Sequence, residues 1–139
     1  MFKKSITFTD YNDNLRTEEH YFNLTEAEIA EMELSTVGGL TQMLQGMIEA
    51  QDMPAIVKFV KELIMKSYGK KSPDGRRFIK SAELSEEFAQ TEAYSKLFME
   101  LSTNADATSA FVNGILPPDL RKKVEEEEAK RRNEENNAN

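Results

Sequence analysis

The sequence predicts a mostly α-helical chain that opens with a β-hairpin. A small helical bundle should follow, and then a charged C-terminal helix or disordered tail. Three observations carry this expectation. Residues 5–9 and 16–22 look like two strands around an Asp/Asn-rich turn, residues 40–64 hold two complete helical stripes, and the composition changes abruptly after Pro117-Pro118. The boundary at 118 divides the chain into a folded unit, 1–118, and a charged segment, 119–139.

In the first strand Ile6 and Phe8 alternate with hydroxyl residues. Asp10 to Asn14 supply side chains that close turns on their own backbone, and Arg16 to Phe22 return. Two strands alone are marginal in water, so the hairpin should lean on the helices. The first helix begins at Thr25, where Thr25 and Glu28 form a capping box flanked by Leu24 and Ile29 at the staple positions. Gly38-Gly39 should interrupt the region.

The next helix carries Leu40, Met43, Leu44, Met47 and Ile48, and the one after it Ile56, Phe59, Val60, Leu63 and Ile64. Asp52 is the expected N-cap between them and Pro54 suits the first turn. The short link predicts an antiparallel pair whose stripes are core. Gly69 is expected to end the second of these helices, and Pro73-Asp74-Gly75 to form a turn that Phe78 and Ile79 pin to the core. Ser81 should cap a helix from about residue 82 to about 102, either continuous or broken near Thr91. Asn104 should cap a last short helix stopped by Gly114. Beyond Pro118, pairs such as Lys122/Glu126 and Glu126/Lys130 favour a solvated helix without docking it.

The composition excludes much chemistry. The chain has 139 residues, a net charge of −7 and no cysteine. Disulfides, thiolate metal sites and thiol nucleophiles are therefore absent, and an acidic surface disfavours nucleic acid. No run of residues is long and apolar enough to span a membrane, and no signal-peptide h-region follows Met1. The one histidine, His20, reads as an ordinary strand-surface residue, and no phosphate-cradling glycine motif occurs. No enzyme, metal or cofactor is predicted. The local anomaly is Lys66, Lys70, Lys71, Arg76, Arg77 and Lys80 against Asp74 alone, about +5 over residues 66–80. It suits a soluble loop, or docking of an acidic partner surface or of residues 18–33 of a second copy.

Residues 66–81, KSYGKKSPDGRRFIKS, resemble the middle of phage tail assembly chaperones of long-tailed phages and prophages, chiefly of Gram-positive hosts. The likeness continues through 88–101, FAQTEAYSKLFMEL, and 110–117, AFVNGILP, and includes 17–28, TEEHYFNLTEAE. The resemblance implies a helical chaperone that binds the tape measure protein and keeps it soluble until tail tube subunits replace it. It implies action in the host bacterial cytoplasm, absence from the mature virion, and in many members a longer frameshifted form. Tail tube protein and self-association are the further contacts it suggests. Tyr94, Phe98 and Met99 are the expected client anchors, with Arg76 and Arg77 as rim charges, because Phe98 and Met99 are adjacent and one narrow helix face cannot bury both. A small helical DNA-binding regulator and a structural head–tail component are the competing expectations.

Overall fold

The computed structural model describes residues 1–118 and, beyond them, residues 126, 129, 130, 133, 134 and 136. Those six are helical and exposed; the rest of the expected charged helix and tail lies outside the described residues. Ten elements follow in order up to Ile115: β1 (Phe2–Thr9), β2 (Leu15–Phe22), α1 (Glu26–Ser35), α2 (Gly39–Glu49), α3 (Met53–Ser67), β3 (Tyr68–Lys71), β4 (Phe78–Ile79), α4 (Ala82–Ala89), α5 (Glu92–Thr103) and α6 (Ala105–Ile115). The strands form one sheet in the order β1-β2-β3-β4, with every neighbouring pair antiparallel. The fold is thus α+β rather than a helical bundle with a lone hairpin. What reads as a basic loop at 66–80 contains a second hairpin, and its first strand extends the sheet.

The N-terminal hairpin forms as expected and rests on the helices. Ile6 and Phe8 are buried, Lys4 pairs with Glu100 of α5 at 3.0 Å, and the Tyr11 hydroxyl at the turn donates to Glu92 at 3.1 Å. Asp10 closes the turn by accepting the N–H groups of Asn12 and Asn14, each at 2.9 Å.

The predicted N-caps all hold. The Thr25–Glu28 capping box is complete, and Asp52, Ser81 and Asn104 each accept a backbone N–H in the first turn of their helices. Thr91 settles the continuity question: its side chain accepts the Tyr94 N–H, so α4 and α5 are separate helices. Gly38 and Gly39, at φ +77° and +85°, make the bend between α1 and α2.

Two glycines act differently from expectation. Helix α3 ends at an extended Tyr68, and Gly69 lies inside β3. A Cβ there would sit 2.7 Å from the Phe78 ring and 2.8 Å from the Ile79 carbonyl oxygen, so Gly69 is where β4 approaches closely. Gly114 likewise does not stop α6, which runs to Ile115; it admits Phe2, whose ring a Cβ would meet at 2.5 Å.

The core centres on Phe22, fully buried, with Phe2, Phe111, Tyr68 and Phe88 around it at ring distances of 5.5–6.3 Å. Val60, Leu63 and Ile64 of α3, Leu97 and Leu101 of α5, and Phe111 and Ile115 of α6 complete it. The α3 stripe is core from Phe59 onward. The α2 stripe is not: Leu40, Met43 and Met47 are only half-buried and stand outside the core cluster, while the side chains of Leu44 and Ile48 lie outside the description.

Candidate functional site

Helix α5 carries three of the five residues that the sequence singles out. Its buried face is Ala93, Leu97 and Leu101. Tyr94 and Phe98, one turn apart, are half-buried at the edge of that face. Tyr94 meets Phe88 edge-to-face at 5.8 Å and stacks on Phe98 at 6.0 Å. Burial raises the Tyr94 phenol above its ordinary pKa, so the ring stays neutral. Met99 points away from the core and is 54% exposed. The two neighbours therefore divide as helix geometry requires: Phe98 packs inward and Met99 meets solvent.

Arg76 and Arg77 stand elsewhere, on the turn between β3 and β4. This turn is internally braced. The buried Ser72 donates its hydroxyl to Asp74 at 2.7 Å and accepts the Arg77 N–H at 3.0 Å, and Asp74 accepts the Arg76 N–H at 3.1 Å. The Ser72 hydroxyl, then the Arg76 N–H, hold the Asp74 carboxyl below its usual pKa. Gly75 supplies the positive φ, +74°. Both guanidinium groups are exposed on this rigid tip. Helix α5 packs chiefly on β1, α3, α4 and α6, while β3 packs on β2 and α4. The expected anchors and the expected rim charges thus stand on different elements, α5 and the β3–β4 turn.

The basic run divides in the same way. Lys80 is committed to Glu28 of α1 at 2.7 Å. Burial works against the Glu28 carboxylate, but Lys80 and Thr25 outweigh it and hold its pKa below the ordinary value. The Lys71 ammonium lies over the Tyr21 ring at 4.6 Å. Among the described residues, Lys66, Lys70, Lys71, Arg76 and Arg77 make no ion pair.

His20 is not the surface histidine that the sequence suggests. It shares a sheet face with Phe22 and lies 4.9 Å from the Phe88 ring and 6.2 Å from Tyr68. Its buried Nε2 has no hydrogen-bond partner, and burial lowers its pKa.

A further apolar surface escapes a stripe-based expectation. Leu34, Val37 and Met53 are 88%, 98% and 56% exposed on or beside α1 and α3, and Met43 and Met47 of α2, which packs on both helices, are half-buried. The sequence carried a signal for it in the apolar stripe of α2, of which Leu40, Met43 and Met47 stay outside the core cluster. Among the described residues there is no cluster of three metal-ligating side chains and no helix able to cross a membrane.

No curated protein and no solved structure matches this chain. A family profile does, over residues 1–139, and it is described as phage tail assembly chaperone. The match takes in the braced basic turn, the α5 edge and the uncovered methionines alike, and by it this chain belongs to the phage tail assembly chaperones.

Proposed function

We propose that this chaperone takes the long, helical tape measure protein as its client and keeps it soluble until tail tube subunits displace it. The work would be done in the host cytoplasm, and the protein would leave before the virion is complete. The observation that carries the proposal is the uncovered apolar surface on otherwise well-capped helices, in a chain whose whole length matches a tail assembly chaperone family. Large exposed apolar side chains are costly unless something covers them.

In this reading an amphipathic client helix lies with its apolar stripe against Met99, with Phe98 and Tyr94 as flanking rings. Thioethers suit a client whose sequence varies along its length, because they repack easily, and Met43, Met47 and Met53 offer a second surface of the same kind. Arg76 and Arg77 act at a distance from these anchors, steering acidic stretches of the client toward the surface. The test uses the full chain and a client fragment. Phe98→Ala and Met99→Ala together should weaken capture by about tenfold or more. Charge reversal at Arg76 and Arg77 should slow association and flatten its salt dependence. Unchanged capture by a folded Phe98→Ala/Met99→Ala protein would remove α5 as the docking site. Salt-sensitive duplex binding by the wild-type chain would favour the DNA-binding alternative.

A further inference from the structure

The sheet is forked. Asn23 N–H donates to Ser67 O at 2.8 Å, and Tyr21 pairs with Gly69 on the next rung. There the pairing of β2 with β3 stops, while Lys70 and Lys71 pair with Ile79 and Phe78 across the other edge of β3. Backbone groups alternate between the two edges of a strand. The groups of Glu19, Thr17 and Leu15 therefore continue the row set by Asn23 and Tyr21, with no strand beside them among the described residues, while those of Glu18 and His20 face β1. Residues Leu15–Glu19 are all exposed.

A cleft of about 450 Å³ occupies the fork. Tyr68, Phe88 and His20 form its floor, stacked or tilted against one another at 4.3–6.2 Å. Glu18 and Glu87 stand over the floor; both raise the Tyr68 phenol's pKa, after burial, and neither makes an ion pair among the described residues. Of the other charges around the cleft, Glu19 is paired with Lys3 at 3.3 Å, the Lys71 ammonium lies over the Tyr21 ring, and Lys70 makes no ion pair among the described residues.

We propose that the fork is a strand-addition site for an extended segment of a partner protein. The segment pairs with the open row Leu15, Thr17, Glu19, sets an apolar side chain on the Tyr68–Phe88 floor, and places a lysine or arginine against Glu18 and Glu87. Three features favour this occupant: a free ladder, an aromatic floor beneath it, and two carboxylates at its rim, Glu18 and Glu87, that make no ion pair among the described residues. The chain's own residues 119–139 are a poorer occupant, since acids and bases crowd there with only Leu120, Val124, Ala129 and Ala138 as apolar company. The site is separate from the helix-binding surface on α5 and stands or falls independently of it.

The probe is a blocked peptide of about eight residues alternating lysine with valine and phenylalanine, against the same peptide carrying a central proline. Binding is read by fluorescence anisotropy and by amide exchange in the NMR spectrum of the full chain. The alternating peptide should bind and slow exchange at Thr17 and Glu19 by about tenfold or more, leaving Glu18 and His20 unchanged. The proline peptide should not bind. Thr17→Pro, which removes one open donor, and Glu18→Lys, which reverses one carboxylate, should each weaken binding by about fivefold or more. Absence of binding would overturn the proposal and leave Glu18 and Glu19 as charges that keep the edge unpaired. Binding without the alternating protection would overturn it too, as would protection at Thr17 and Glu19 in the protein alone that grows with concentration, which would make a second copy the occupant.

Discussion

Replacing Gly69 separates two roles that a glycine after a helix can have. Were it a left-handed C′ residue, asparagine would be the mildest substitute and alanine worse. In the structure Gly69 is strand, and the obstacle is space. An added Cβ meets the Phe78 ring at 2.7 Å and the Ile79 carbonyl oxygen at 2.8 Å. The ring can swing away, but the carbonyl is backbone and moves only with β4. Overfilling a packed site costs about 1–3 kcal/mol. Alanine recovers about 0.4–1 kcal/mol by restricting the unfolded chain. The net for Gly69→Ala is a loss of about 1–2 kcal/mol, or a Tm lower by about 3–8 °C. Gly69→Asn should lose more, because its larger side chain enters the same gap. Phe78→Ala in the Gly69→Ala background should recover part of the loss and leave the carbonyl contact. Thermal unfolding followed by circular dichroism measures all three. An asparagine variant more stable than the alanine variant would refute the close-approach argument.

Two further outcomes follow from the core and the cleft. Phe22→Ala removes the ring that four other aromatics surround, and should cost about 3–5 kcal/mol by chemical denaturation. His20 is held neutral by burial, so the unfolded chain takes up its proton first as pH falls. Stability should be full above the ordinary value of 6.5 and decline as pH drops from there toward the lowered folded value. His20→Phe should flatten that decline in urea titrations between about pH 7 and 5; an unchanged slope would show that another group is responsible.

The helix starts were legible because a cap is a local event. Thr25, Asp52, Ser81, Thr91 and Asn104 each bind an N–H three residues on, and that spacing is visible in the sequence. The second hairpin was not legible. Strand β4 is two residues long, β3 contains a glycine and two lysines, and neither alternates, so the stretch reads as a charged loop until β2 pairs with it. Gly69 and Gly114 were misread for a related reason: a glycine needed for conformation and one needed for space look identical until a neighbour is placed. The α2 stripe has complete helical periodicity, but periodicity reports that a face exists and not what covers it. At the candidate site, adjacency alone foretold that Phe98 and Met99 would part ways. That Arg76 and Arg77 sit at the tip of a hairpin of the sheet was hidden with the sheet itself.

The most direct test of the account is co-expression of the full chain with the tape measure protein of its own phage, followed by a solubility assay and pull-down. The account predicts that the partner becomes soluble and co-purifies with the chaperone, and that Phe98→Ala/Met99→Ala reduces both. A partner that stays insoluble and does not co-purify would contradict it.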